Sequence, residues 1–476
     1  MEVQRFVHLS DIHIGQERGG TLPLHETIRT DLLKDCEKLR ERLGPASGIV
    51  VCGDTAYSGK RAEYVLAGTW LDRLARAVGS DRERGVFVIP GNHDVDRAFH
   101  SLPTKHFHAA LRSGTINQAY AEIEEVAEKT PEDQNPLLTP LGSYREFASQ
   151  YDCDFESPKR PMWTKSLPVG ARQLRLLGLN SVVVSNSLDA KESMILGNSQ
   201  FIFESLPGHA NVVLLHHPLE WFKDREMAQH FINSRASVLI VGHEHKARIQ
   251  KITDENDNEL LIIESGATNP PDEGGEYKFA YNWLEIRTDI SSENCRLGVK
   301  VFPRLWVSGR TEFSPDASRL SLDKSEGKEF FIKCPKLKED SQRSQDASTV
   351  DATEEVTGES SSGAVSVMPP SDEVNFARLQ FYFWRFLDWR QRLTVLAENK
   401  LLPGSLERPI PQTMERLALE SARSSRTWGT LGSDYEICTY RGPRSQSIFR
   451  QNIMGNICSV SYLNGTALPT LHQRMT

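Results

Sequence analysis

Five short runs of β-branched and leucine residues recur through the first half of the chain, and each stops at Asp, Asn or His. Phe6 to Leu9 precedes Ser10-Asp11-Ile12-His13, Ile49 to Cys52 precedes Gly53-Asp54, and Val86 to Pro90 precedes Gly91-Asn92-His93-Asp94. Val212 to Leu215 leads into His216-His217-Pro218, and Val238 to Val241 into Gly242-His243-Glu244-His245. Short apolar runs bounded by turn residues read as buried strands. Open α/β sheets place their ligands at the carboxyl ends of such strands, so chemistry is expected at these five positions.

Between the runs, Leu24 to Leu43 and Ala62 to Val78 read as helices, and strands alternating with helices predict an α/β core. The spacing leaves room for one crossover helix between Asp11 and Asp54 and another between Asp54 and Asn92. The first three motifs are therefore expected along one sheet edge. A long insertion follows from Asp94 to His216, helical over Thr115 to Lys129 and Leu141 to Gln150, with strand character resuming over Leu174 to Val184. After His245, Glu259 to Glu264, Asn282 to Thr288 and Leu297 to Val307 are separated by turn-rich pieces with Asn-Pro-Pro and Gly-Gly. These read as antiparallel strands closing a second sheet. The predicted fold is α/β, a two-sheet β-sandwich flanked by helices over residues 1–310.

Composition then changes the picture twice. Residues 337–371 hold seven acidic and two basic residues among Ser, Thr and Gly, too little apolar surface to offset the entropy of ordering, and are expected to be a flexible acidic Ser-rich linker. Beyond it, residues 372–476 carry thirteen Lys plus Arg against nine Asp plus Glu. With the chain at −8, the linker at −5 and this tail at +4, the first part is left at −7. A nucleic-acid path is expected to show as a basic surface, so an acidic first part favours a small phosphoester. Phe376, Leu379, Phe383 and Leu387 recur at helical spacing, as do Met414, Leu417, Ala418 and Ala422. The tail is expected to be a small, mainly α-helical C-terminal domain able to hold a protein partner. Its aromatic run from Phe381 to Trp389 is too short and too charged to span a bilayer, so no membrane association is expected. Met1 to Arg5 lead straight into the first strand without a signal-peptide pattern, which predicts a cytoplasmic address. The seven cysteines are widely spaced with no C-x-x-C pair, arguing against disulfides or a thiolate zinc site. Cys52 is expected to be a core thiol.

Together the strand ends supply Asp11, His13, Asp54, Asn92, His216, His243 and His245, enough to hold two metal ions that share one carboxylate. Two cations about 3.5–4 Å apart can clamp the attacking and leaving oxygens of a displacement at phosphorus. A donor set of Asp, Asn and His without thiolate suits Mn²⁺, Fe or Zn²⁺. The two consecutive histidines are not both taken as ligands, because consecutive strand residues point to opposite faces.

The order D-x-H, G-D, G-N-H-D, H-H-P, G-H-x-H over roughly residues 3–265 resembles the calcineurin-like metallophosphoesterase superfamily. That resemblance implies hydrolysis of phosphodiester, or phosphomonoester, bonds by metal-activated water. It implies Asp11, His13, Asp54 and His245 around one divalent metal, and Asp54, Asn92, His216 and His243 around a second, with manganese expected first and iron or zinc as alternatives. By the same resemblance His93 acts near the leaving group as general acid or transition-state stabiliser, with Asp94 orienting its ring. Gly53-Asp54-Thr55-Ala56-Tyr57 is also similar to the G-D-x-x-Y of purple acid phosphatases, whose tyrosinate binds iron. Those enzymes lack the first-motif histidine, which here is His13, so Tyr57 is expected to line the pocket or pack. The His-His-Pro motif with Gly-His-x-His looks like the class of cyclic-nucleotide phosphodiesterases, while His-Leu-Ser-Asp-Ile-His-Ile-Gly is equally similar to double-strand-break repair nucleases. These motifs imply the reaction and not the substrate; with the acidic first part, the expected substrate is a nucleotide or cyclic nucleotide, with DNA or RNA as the alternative. Some relatives, including a retromer subunit, keep the fold as a non-catalytic scaffold, and the tail faintly resembles the death-like, effector-associated domains of bacterial defence proteins. His8, His100, His106, His108 and His209 are expected to be structural.

Overall fold

The computed structural model describes residues 3–17, residues 22–333 apart from 171, 207, 246, 270–277, 290–295 and 319, and in the C-terminal part 383–384, 387, 389–398, 401, 415 and 418–419. In chain order the elements are β1 (Val3–Leu9), α1 (Leu22–Leu43), β2 (Gly48–Cys52), α2 (Arg61–Val78) and β3 (Val86–Ile89). The insertion supplies α3 (Leu102–Ser113), α4 (Ile116–Lys129), α5 (Gly142–Ser149), β4 (Met162–Val169), β5 (Arg172–Leu179) and the one-turn α6 (Asn198–Phe201). Then come β6 (His209–Leu215), α7 (Arg225–Arg235), β7 (Val238–Val241), β8 (Arg248–Thr253), β9 (Glu259–Glu264), β10 (Ala280–Asp289), β11 (Arg296–Val307), β12 (Glu312–Pro315) and β13 (Lys328–Lys333), with α8 (Trp389–Glu398) in the C-terminal part.

Two mixed sheets result. One runs β12-β11-β10-β1-β2-β3 with β13 also on β11, and the other β4-β5-β6-β7-β9-β8. Strands β1, β2 and β3 are parallel neighbours, Leu9 opposite Val51 and Cys52 opposite Ile89, so their carboxyl ends stop at one level. In the second sheet β6 and β7 are likewise parallel, Leu215 opposite Val241. The sheets pack face to face: Val7, Leu9, Val51 and Val88 share a core with Val212, Leu214, Val238 and Ile240. The alternate residues Val213, Leu215, Leu239 and Val241 face the other way, onto Ala228 and Ile232 of α7. Burial on both faces is why these strands read as continuous apolar runs. Each fully buried Val or Leu contributes about 1.5–3 kcal/mol, and Leu214→Ala, opening a cavity between the sheets, would cost about 2–5 kcal/mol.

Local signals set the helix boundaries. Thr115 and Gln118 form a reciprocal capping box at the start of α4, Ser101 accepts the Thr104 N–H at the start of α3, and Gly79 ends α2 in the left-handed region at φ 75°. Two buried ion clusters brace the frame. Arg145 pairs with Asp154 at 2.8 Å and with Glu132, tying α5 into the insertion. Arg304 on β11 grips Asp35 on α1 with two bonds of 2.8 and 2.6 Å, and Tyr281 on β10 donates to the same carboxylate at 2.5 Å.

The structure departs from the sequence reading in how the later strands are placed. Of the three strands expected after His245, β9 alone joins the second sheet, parallel to β7 and antiparallel to β8, while β10 and β11 return to the first sheet. Strand β1 has a second edge, which β10 covers by antiparallel pairing, Val7 opposite Trp283. Strand pattern alone carries no information on which edge is vacant. The sheet continues past residue 310 through β12 and β13. Strand β5 stops at Leu179, and β4, with Lys165, Ser166 and Pro168, is an edge strand whose mixed composition hides it. In the C-terminal part, Arg392 on α8 pairs with Glu415 at 2.7 Å, both buried. The expected linker at 337–371 and most of the expected helical tail, including Met414, Leu417 and Ala422, lie outside the described residues. Among the described residues no helix is long and apolar enough to cross a membrane.

Candidate metal centre

All seven expected donors lie just past strand ends: Asp11 and His13 after β1, Asp54 after β2, Asn92 after β3, His216 after β6, and His243 and His245 after β7. The loops lock together through backbone bonds, Asp11 N–H to the Gly53 carbonyl at 3.2 Å, His13 N–H to the Asp54 carbonyl at 3.0 Å and Gly242 N–H to the His216 carbonyl at 3.1 Å. Asp11, His13, Asp54, His243 and His245 all have positive φ, between 47° and 68°. They are five of the ten non-glycine residues in that region among those described. Such conformations cost of order 1–3 kcal/mol each and persist where the surroundings over-determine them, as at binding sites. Two motif glycines have a steric reason. A Cβ on Gly91 would lie 2.2 Å from Asp54 Oδ1, and one on Gly53, at φ 82°, 2.4 Å from His216 Nδ1.

Asp54 sits at the centre. Its Oδ2 lies 3.2 Å from His13 Nε2 and 3.4 Å from His216 Nε2, and its Oδ1 accepts the His93 N–H at 2.7 Å. Asp11 Oδ1 lies 3.2 Å from His245 Nε2, and its Oδ2 accepts from Ser10 Oγ at 2.5 Å and from the His243 N–H at 3.2 Å. Asn92 Oδ1 is 3.2 Å from His216 Nε2. His216 Nδ1 donates to the Cys52 carbonyl at 2.7 Å, and His13 Nδ1 to the Asn269 carbonyl at 3.2 Å. Carbonyls only accept, so in both rings Nε2 is the nitrogen turned toward the centre. Cys52 thus serves the site through its backbone, while its buried thiol lies among core residues.

The electrostatics are those of a cation site. Asp11 and Asp54 are fully buried within 4.8 Å of each other and of His216. Burial raises the pKa of each carboxyl, but the histidines around them more than reverse this and hold both below the usual range. His216 shows the reciprocal effect: burial lowers its pKa, the Asp54 charge overrides it, and the net value is pushed up to about 9. His243 is lowered by burial and then by His216 to about 4. Among the described residues protonated imidazole is thus the positive charge set against two adjacent buried carboxylates, and divalent cations fit the same place. Asp11, His13 and His245 form one group of donor atoms within 4.8 Å of one another, and Asp11, Asp54 and His216 a second. Two carboxylates, an amide oxygen and imidazoles without thiolate fit borderline dications.

The paired histidines are separated by something other than strand alternation. Both lie beyond the end of β6, both are fully buried, and His216, His217 and His243 form a further group within 4.8 Å. The distinction is in partners: His217 Nδ1 shares a 2.9 Å bond with Ser181 Oγ, whereas His216 Nε2 lies 3.4 Å from Asp54 Oδ2.

His93 lies at the rim, half-buried, with Nδ1 donating to the Tyr57 carbonyl at 2.8 Å and its ring 4.7 Å from that of His13. Asp94 does not orient that ring. It is fully buried, and its carboxylate accepts from the N–H groups of Thr55, Ala56 and Gly91 at 2.9–3.2 Å and from Tyr64 Oη at 2.9 Å. Consecutive residues of a tight turn point apart, so Asp94 clamps the Asp54 loop onto α2 while His93 takes the cleft side. Burial, then the Asp54 charge, push the Asp94 carboxyl up to about 6. His8, His100, His108 and His209 belong to none of the four donor groups found among the described residues.

Ser10, Tyr64, Trp221 and Asn269 were not singled out by sequence. Trp221 places its ring edge-on to His243 at 4.3 Å and donates to Glu244 at 2.9 Å, bracing the last motif. The Asn269 carbonyl is the partner of His13, and the Asn-Pro-Pro turn that contains it was the only trace in the sequence.

The sequence model of the calcineurin-like phosphoesterase family matches residues 4–247, just over half of the chain. The chain belongs to this family. The family uses a dinuclear divalent metal site, for which the Asp and His groups above are the candidate ligands. No curated protein sequence matches the chain. Similar solved structures include the NAD nucleotidase NadN of Haemophilus influenzae, 12% identical with a TM-score of 0.34 over 89% of this chain and 60% of that one. Others are purple acid phosphatase PPD1 from yellow lupin, 11% identical, TM-score 0.36, over 70% and 54%, and a 5'-nucleotidase precursor from Thermus thermophilus, 11% identical, TM-score 0.31, over 70% and 55%. The chain spans 54–60% of the length of these proteins, and similarity at this level assigns no substrate.

Proposed function

We propose that this phosphoesterase cleaves a small phosphodiester or phosphomonoester, a cyclic nucleotide or a nucleotide, with manganese as its metal. The observation that supports a two-cation reading is the position of Asp54, whose Oδ2 is within 3.4 Å of both His13 and His216, rings that belong to opposite halves of the donor set. In this reading Asp11, His13, Asp54 and His245 hold one cation, and Asp54, Asn92, His216 and His243 the other. Such a pair supplies a water that is nucleophilic at neutral pH and a charge clamp on phosphoryl oxygens.

The chain's own residues then do three things. Asp11 and Asp54 set the negative charge that selects dications. The carbonyls of Cys52 and Asn269 fix His216 and His13 with Nε2 inward. His93, anchored through Nδ1, turns Nε2 to the cleft, where as imidazolium it hands a proton to the departing oxygen. Burial, partly offset by Asp54, lowers its pKa, which favours proton release once substrate is bound. The net charge of −7 on residues 1–336 supports a small substrate over a polyanion. A panel of bis-p-nitrophenyl phosphate, p-nitrophenyl phosphate, cyclic nucleotides and single- and double-stranded DNA, assayed with Mn²⁺ and after chelation, tests the reading. Turnover of cyclic nucleotides is expected, and preference for DNA would reassign the chain as a nuclease. We further propose a cytoplasmic enzyme whose helical tail engages a protein partner, the test being whether removal of residues 372–476 changes the proteins retained by the full chain.

A further inference from the structure

Tyr57 touches His93 in two independent ways. The rings are stacked, centroids 5.1 Å apart and planes 26° from parallel, and the Tyr57 carbonyl accepts the His93 Nδ1–H at 2.8 Å. Tyr57 is itself held in place, because its N–H donates to the Ile14 carbonyl at 3.0 Å and Ala56 forms a short parallel bridge with Ile14. That bridge belongs to the loop carrying His13, whose ring packs edge-on against both others, 4.7 Å from His93 and 6.1 Å from Tyr57. The imidazole torsion of a histidine is broad and roughly two-fold, so an unconstrained ring at the rim would sample several orientations. Here the carbonyl selects which edge of the ring faces inward, and the tyrosine face limits its tilt.

We infer that Tyr57 is a positioning residue for phosphoester cleavage, its ring and carbonyl together holding His93 so that Nε2 meets the departing oxygen. The inference rests on the leaving-group role of His93 proposed above. The stack acts only through His93, so it should matter where His93 matters and nowhere else. Tyr57→Phe retains ring and carbonyl. Tyr57→Ala retains the carbonyl and loses the stack, and an aromatic pair is worth about 3- to 10-fold in an equilibrium.

The test uses the full-length, Mn²⁺-loaded protein with two substrates: bis-p-nitrophenyl phosphate, which expels a stable phenolate, and a dinucleoside monophosphate, which expels an alkoxide. Parent, Tyr57→Ala, Tyr57→Phe, His93→Ala and the Tyr57→Ala/His93→Ala double variant are compared at equal metal content. The expected result is a kcat lowered about 3- to 10-fold by Tyr57→Ala on the dinucleotide, little change on the nitrophenyl ester, parental rates for Tyr57→Phe, and a double variant no slower than His93→Ala. A crystal structure of Tyr57→Ala should show the His93 ring in more than one orientation. Additive losses in the double variant overturn the inference, as does a loss in Tyr57→Phe equal to that in Tyr57→Ala, which would assign the work to the hydroxyl. Equal losses of His93→Ala on both substrates overturn the His93 reading itself, and the inference with it. If His93→Ala discriminates between the substrates while Tyr57→Ala does not, only the positioning role falls.

Discussion

Two buried charged clusters in the same unit are built to opposite plans. Around Asp35, a carboxylate 4% exposed is met by a two-bond Arg304 guanidinium and the Tyr281 hydroxyl, so its charge and both of its oxygens are matched by protein alone. Around Asp54 two carboxylates are pressed together with histidines, no arginine or lysine contacts either one in the described structure, and five backbone positions sit in the left-handed region. The first cluster is complete as architecture. The second, on the two-cation reading proposed above, is completed by cations, which would make it an active site where the first is a brace.

Breaking the two clusters should therefore give different phenotypes. Asp54→Ala is expected to lower hydrolysis by on the order of 10³-fold, because several kcal/mol of charge stabilisation leave with the cations. It should exceed the loss from any terminal donor, with bis-p-nitrophenyl phosphate turnover as the measurement. His93→Ala is expected to cost roughly 10²–10⁴ in rate on an alkoxide leaving group, less on p-nitrophenolate, with metal content unchanged. Loss of bound metal in that variant would make His93 structural to the centre. Asp35→Ala leaves Arg304 buried without its partner and should destabilise the fold by about 3–5 kcal/mol in denaturant unfolding, yet bind metal as the parent does. Elemental analysis of His216→Ala should show one cation lost and that of His217→Ala none, and the reverse would show the two histidines assigned the wrong way round.

The smallest expected effect lies away from both clusters. Burial, then the neighbouring His100, bring His108 on α3 down to about 4. Its unfolded value is near 6.5, so the unfolded chain binds the extra proton between those values, and stability falls as pH drops from about 6.5 to 4. His108→Gln should flatten that acid slope by one proton in pH-dependent unfolding, whether or not metal is present.

What could be read beforehand follows the range of the interactions. The five strand ends and their glycines were legible because each donor lies within a few residues of the apolar run that delivers it. Gly53 and Gly91 carry that information locally, since a Cβ at either would collide with His216 or Asp54. The partners that fix the donors were not legible, because Ser10, Tyr64 and Asn269 have no pattern of their own and meet the site through contacts set by the whole fold. Asp94 shows the cost of reasoning from adjacency, since sitting next to His93 in sequence turned its carboxylate toward Thr55, Ala56 and Tyr64 instead. The return of β10 to the free edge of β1 was hidden for the same reason: pairing across more than 270 residues leaves no trace in local periodicity.

The central claim is that Asp11, Asp54 and the histidines around them form a two-cation site that carries the hydrolysis. Its most direct measurement is the manganese content of the purified chain, by elemental analysis, alongside bis-p-nitrophenyl phosphate turnover before chelation, after it and on titration with Mn²⁺. The account predicts activity lost with the metal, restored as binding approaches two ions per chain, and on the order of 10³-fold lower in Asp54→Ala however much Mn²⁺ is added. Undiminished hydrolysis by the metal-free parent would contradict it.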